Sequence, residues 1–170
     1  MAYYPDIKTT FKIIDELVNN GTKILEIGIP FSDPIADGKS IQKAALKALE
    51  NDANLNKVLD IVQKVKKKYP DLAIILMGYV NPIHAMGVDK FLVAAKKVGV
   101  NGLIIVDLPY EERKQYDQLF KKNNISFINL LSPNLSEERI KTITKDADGF
   151  LYYISVNSTT GTKKPNIADI

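Results

Sequence analysis

ILEIGIPFSDPIADG, residues 24–38, begins as an apolar strand with a glutamate at its centre and runs into a turn of prolines, serine and two aspartates. In an extended chain the side chains alternate between faces, so Ile24, Glu26 and Gly28 share one side and Leu25, Ile27 and Ile29 the other. A carboxylate inside such a strand loses solvation, and desolvation raises its pKa toward a range where it can both give and take protons. A structural acid paired with a lysine or a backbone donor would satisfy the same position. The strand alone leaves both readings open.

Outward from this stretch the pattern is one of alternation. Apolar residues at helical spacing (Ile7, Phe11, Ile14, Leu17, Val18) predict a helix over 7–20 that stops at Gly21. Ser40 is placed to cap a helix reaching Glu50, and a second helix over 55–69 ends before Pro70. AIILMGY (73–79) is a continuous apolar run, typical of a parallel strand covered on both faces. Helix 88–98 leads to strand GLIIVD (102–107), and helix 110–122 leads to ISFINL (125–130). Helix 136–145, capped by Ser136, leads to GFLYYIS (149–155). Strict alternation implies a parallel sheet with right-handed crossovers, in an open doubly wound sheet or a barrel. Asp37, Asn81, Asp107 and Ser132 all fall just past carboxyl ends of strands, which favours a barrel with its site in the βα loops. An open sheet would concentrate its site at one switch point.

With 170 residues and 45% apolar content the chain can bury a substantial core, and a single domain over 1–170 is expected. No apolar run reaches the roughly 18 residues of a membrane span, and MAYYPDIKTT lacks the regions of a signal peptide, so a cytoplasmic protein is expected. The absence of cysteine rules out disulfides and thiolate metal sites, and with His84 as the one histidine no metal centre is expected. Lys64 and Lys66 to Lys68 form the densest basic block within a net charge of +3, and read as a solvated helix face rather than an anion or nucleic-acid patch. Neither G-x-G-x-x-G nor G-x-x-x-x-G-K-[ST] occurs, so a dinucleotide or nucleoside triphosphate site has no support. Chemistry must rest on carboxylates, hydroxyls and backbone groups.

LEIGIPFSDPIADG, together with GYVNPI, IIVDLP and STTGT, resembles the tryptophan synthase alpha chain family. The family signature, approximately L-E-[LIV]-G-x-P-[FY]-S-D-P-x-A-D-G, is matched at every fixed position, and YPD ahead of the first helix and GFLYYIS fall in family order. The resemblance implies a (β/α)₈ TIM barrel and a lyase of tryptophan biosynthesis. Such a lyase cleaves indole-3-glycerol phosphate to indole and glyceraldehyde 3-phosphate without a cofactor. It also implies a partner, a pyridoxal-phosphate beta chain that receives the indole in an alpha2beta2 assembly. Carried over by residue, the catalytic pair is Glu26, which moves protons, and Asp37, which stays ionised and accepts a bond from the indole N–H. Tyr79, Met77, Ile104 and Tyr152 are implied to surround the indole. Thr160 is implied to bond the catalytic aspartate when its loop closes, and Gly161 to offer an N–H to the phosphate. Asp33, Pro34, Asn81 and Pro109 match the rim that meets the beta chain, while His84 has no implied role and reads as an ordinary loop residue.

The chain also departs from the family. A complete barrel takes about 250 residues, whereas here MAYY is all that matches the first strand and the sequence stops at KKPNIADI. The seventh and eighth strands, with the loops that hold most of the phosphate, have no counterpart, so a partial barrel of strands two to six is expected, with weak binding of the phosphate substrate. Ser158 stands where glycine is usual, and Tyr3 replaces a common small residue. The Ser, Thr, Asn and Gly content of residues 155–164 predicts a mobile loop. Two readings follow: a portion of a longer alpha chain, or a non-catalytic piece that serves as a binding or structural partner of a beta-like chain. A related phosphate-sugar isomerase barrel is disfavoured by the signature around Asp33 and Asp37.

Overall fold

The computed structural model describes residues 1–154. Helix α1 (Ile7–Asn19) precedes strand β1 (Ile24–Gly28), and α2 (Lys39–Glu50) and α3 (Leu55–Lys68) lead to β2 (Ala73–Gly78). Then come α4 (Val80–Met86), α5 (Val88–Val98), β3 (Gly102–Ile105), α6 (Tyr110–Arg113) and a 3₁₀ turn (Lys114–Tyr116). The rest is α7 (Asp117–Asn123), β4 (Ser126–Phe127), β5 (Asn129–Leu131), α8 (Glu137–Lys145) and β6 (Leu151–Tyr153).

All paired strands are parallel, in the order β1-β2-β3-β4 and β5-β6. β4 and β5 flank Ile128, whose N–H donates to Leu103 O at 2.8 Å. They are one extended run that pairs first with β3 and then with β6, which is why the single strand expected over 125–130 divides. The order advances in one direction, whereas a doubly wound sheet reverses it and covers both faces with helices. Here the helices pack on one face. Leu25, Ile27, Leu76, Leu103 and Phe127 join Ile14, Val58, Val62, Phe91, Leu92 and Phe120 from the helices in the main core. The other face holds a second cluster drawn from strands and their ends: Ile75, Ile104 and Ile128, with Met77, Leu130 and Tyr152 against them. This is the one-sided winding of a barrel wall. Gly78 is required by it, because a Cβ there would lie 3.0 Å from Ile29 Cβ as the chain leaves β1.

Caps fix the helix starts. Asp6, Asn54 and Ser136 each accept from the backbone N–H three residues on, at 2.8, 3.1 and 3.2 Å, satisfying otherwise orphaned donors. The expected Ser40 cap is not formed: α2 starts at Lys39 with Gly38 as N-cap, and Ser40 lies in the first turn. The helix expected over 110–122 is broken, because Tyr110 packs with Leu131 and Ile143 whereas Phe120 packs in the main core, and one straight helix cannot serve both. Helix α4 was not expected, and it contains Pro82. The proline sits in the first turn, where its missing N–H has no helical partner to lose. His84 therefore lies on a helix, its Nε2 2.9 Å from the Tyr116 hydroxyl. The lysine block is partly structural: Lys66 donates to Pro70 O and Leu72 O, and Lys68 pairs with Asp15 at 2.8 Å, fastening the end of α3.

The two faces differ in what a truncation removes. Phe91 is fully buried, so Phe91→Ala should lower stability by about 3–5 kcal/mol in urea denaturation. Ile24 is 56% exposed, and Ile24→Ala should change it by no more than about 0.5 kcal/mol.

Candidate active site

Glu26 lies in β1 opposite Ile75 of β2, a member of the second cluster, while its neighbours Leu25 and Ile27 are buried under the helices. Parallel partners point the same way, so the carboxylate faces away from the helices, with Met77 and Ile104 paired one step further along the same face. No lysine pairs with it among the described residues. Although the side chain stays accessible to solvent, the wall around it removes enough water for burial to push its carboxyl above the usual 4.5. The Met1 amino group acts in the opposite, smaller sense. Tyr152 is close enough for the Glu26 charge to help burial raise its phenol.

Asp37 lies on the loop between β1 and α2. The Tyr79 hydroxyl donates to Asp37 Oδ2 at 3.1 Å and accepts from Ala36 N–H at 3.0 Å, so one phenol holds both a side chain and the main chain of the loop. The Asp37 N–H donates to Pro34 O, and the Gln42 side-chain amide donates to Asp37 O at 2.8 Å. Burial pushes the Asp37 carboxyl up and the Tyr79 bond pulls it back. Both acids thus move in the same direction. What separates them is a fixed donor on Asp37 that Glu26 lacks among the described residues. Tyr79 itself is buried, packs against Phe31 at 5.3 Å between ring centroids, and is pushed up to about 12, mainly by burial.

Glu26, Met77, Ile104 and Tyr152 therefore share the face turned away from the helices, and Asp37 meets Tyr79 where the loop after β1 passes the exit of β2. Thr160 and Gly161 lie outside the described residues, as does the loop expected to be mobile. Asp33, Asn81 and Pro109 are exposed and Pro34 partly so; Asp33, Pro34 and Pro109 lie on the loops after β1 and β3, and Asn81 in the first turn of α4. Ser32 donates its hydroxyl to Asp33. Sequence reasoning passed over Gln42 and Phe31, whose contacts with Asp37 and Tyr79 depend on a loop path that no local pattern encodes. Asp107, read as a reactive group at a strand end, accepts from Val80 N–H at 2.8 Å. Among the described residues there is no cluster of potential metal ligands, and no helix is long and apolar enough to cross a membrane.

A family model described as "Tryptophan synthase alpha chain" matches residues 1–170. A tryptophan synthase alpha chain of Neisseria meningitidis serogroup A is 45% identical over 157 residues, covering 92% of this chain and 60% of the relative. One from Aquifex aeolicus is 42% identical over 164 residues, covering 96% and 63%. Among solved structures, the alpha chain from Legionella pneumophila superposes with a TM-score of 0.85 at 39% identity, covering 90% of this chain and 57% of that one. A chain of the tryptophan synthase complex from Pyrococcus furiosus gives 0.82 at 38%, covering 88% and 61%. The chain thus spans about 60% of the length of the curated relatives it matches.

The raised pKa of Glu26 has a consequence for folding. A carboxyl whose folded pKa exceeds its unfolded value binds more protons when folded, so stability falls as pH rises through that window. Glu26→Gln, which mimics the protonated acid, should be more stable than the parent at pH 7. Urea denaturation should show the gain fading as pH falls through the folded pKa and vanishing below about 4.5.

Proposed function

Because the chain belongs to the tryptophan synthase alpha chain family, we propose that it carries the acid pair of a carbon–carbon lyase that converts indole-3-glycerol phosphate to indole and glyceraldehyde 3-phosphate. The observations that carry this reading are a half-desolvated acid, Glu26, on the apolar wall of β1 and a second acid, Asp37, held on the loop that follows β1 by the Tyr79 hydroxyl. The reaction needs a proton placed on indole C3, which leaves a positive charge shared with the ring nitrogen. It also needs a proton taken from the hydroxyl next to the ring. The C3–carbon bond then breaks, its electron pair restores the aromatic indole, and the hydroxyl carbon becomes the aldehyde. Glu26 gives the first proton and takes the second, so it ends as it began. Asp37 accepts a hydrogen bond from the ring N–H and balances the charge as it grows. Met77, Ile104 and Tyr152 offer apolar surface to the ring, Thr160 is assigned to bond Asp37, and Gly161 to offer an N–H to the phosphate. No cofactor takes part.

We further propose a beta chain as partner, received on the rim formed by Asp33, Pro34, Asn81 and Pro109, with pyridoxal phosphate belonging to that chain. The alpha-type neighbour from Pyrococcus furiosus comes from a tryptophan synthase complex. Because the chain spans about 60% of its relatives, a second reading is a binding piece without turnover.

Indole release from indole-3-glycerol phosphate, with and without a beta chain, tests the first reading. Glu26→Gln and Asp37→Asn should each lower turnover by about 10²–10⁴-fold while leaving the substrate dissociation constant nearly unchanged. A Glu26→Gln variant that turns over normally would sink the proton-transfer role. A wild-type chain that binds the beta chain but releases no indole, beside an active full-length relative, would favour the second reading.

A further inference from the structure

We infer that Asp107 is a positioning residue for Asp37, acting through Tyr79; its importance for catalysis rests on the function proposed above. Helix α4 starts without a side-chain cap of its own, for its N-cap residue is Tyr79, whose phenol is engaged elsewhere. The missing acceptor comes from the neighbouring strand's end, where Asp107 Oδ1 takes the Val80 N–H at 2.8 Å. One residue earlier, Val106 N–H donates to Gly78 O at 3.0 Å. The corner between β2 and α4 is thus clamped from the β3 side on both flanks of Tyr79.

That clamp determines where the phenol can be. Tyr79 is 4% exposed, its backbone is extended (φ −113°, ψ 154°), and its ring lies against Phe31. With the ring packed in this way, the place of its hydroxyl follows from the place of its backbone. The bond to Asp37 is 3.1 Å, near the long end of the useful range for a hydroxyl donor, so a backbone shift of about half an ångström would forfeit it. The charges of Asp37 and, to a smaller extent, Asp107 add to burial in holding the phenol at about 12, which keeps the proton it donates. Among the described residues no hydrogen bond joins Asp107 to Asp37 directly.

A role limited to stabilising α4 would not raise the Asp37 midpoint when Asp107 is removed, and this separates the two cases. The Tyr79 bond lowers the Asp37 pKa, so Tyr79→Phe should raise it. Removing the Asp107 charge without moving Tyr79 should shift Asp37 downward, since one negative neighbour is lost. The experiment is a pH titration of the Asp37 side-chain carboxyl by ¹³C NMR in the 170-residue chain, assigned through Asp37→Asn. Asp107→Ala should raise the Asp37 midpoint, by somewhat less than Tyr79→Phe because a negative neighbour is lost as well, and the double variant should go no higher than Tyr79→Phe alone. Asp107→Asn keeps an acceptor for Val80 N–H and should titrate as the parent or slightly lower. Should Asp107→Ala fail to fold, Asp107→Leu, which keeps a branched shape without an acceptor, decides in its place. An Asp37 midpoint at or below the parent's in a folded Ala or Leu variant would overturn the inference, as would an Asn variant that moves up with them. The measurement needs no turnover, so its outcome is separate from the outcome of the indole assay.

Discussion

The parallel register between β1 and β2 is the constraint on which the other features depend. Leu25 and Ile27 are 7% and 4% exposed beneath the helices, and they can be there only if Glu26 between them faces the other way. A slip of one residue would move the whole apolar set to the open face and drive the carboxylate into the main core, unpaired. The same hydrophobic burial that sets the strand's register therefore aims the acid. Pairing Glu26 with Ile75, and Gly28 with Met77, then surrounds the acid with apolar side chains from the adjacent strands. Its raised pKa is a consequence of the sheet and needs no dedicated partner.

The second acid is held by a different kind of force. Asp37 sits on a loop, where no ladder fixes it, and its position comes from hydrogen bonds to Tyr79 and Gln42 that anchor it to β2's exit and to the first turn of α2. The two carboxylates are thus placed by independent means, one by strand alternation and one by a tether. Substitutions in the helix-facing core act first on Glu26. Substitutions around the exit of β2 act first on Asp37.

This difference also explains how much of the molecule was legible in its sequence. Strand alternation is a local pattern, so the inward direction of Glu26 and the run of helices and strands could be read directly from residues 24–28 and the apolar periods around them. Caps such as Ser136 were equally local. The tether was not, because Tyr79 and Asp37 are 42 residues apart and Asp107 and Val80 are 27 apart. Tyr79 reads as one more apolar residue of a buried strand, and nothing near it shows that its hydroxyl organises a loop. Helix α4 was hidden for a related reason: its N-terminal acceptor, Asp107, lies in the turn after β3, leaving V-N-P with no start signal of its own. The broken helix after Pro109 likewise reflects two cores pulling on one segment, which no periodicity within the segment records.

The tether gives the two acids different chemistry even though burial shifts both the same way. Tyr79 occupies Oδ2 of Asp37 and, pushed up to about 12, keeps the proton it donates at neutral pH. A carboxylate that already accepts one bond is better stabilised as the anion and is held in one orientation, with Oδ1 left for a second donor. Glu26 has no such bond among the described residues, so the balance between its two protonation states is left to burial and to the charge beside it. In the proposed reaction these are the properties required of an anion that accepts a ring N–H and of an acid that must lose and regain a proton. One phenol at the exit of β2 thus gives Asp37 a fixed donor that Glu26 lacks among the described residues.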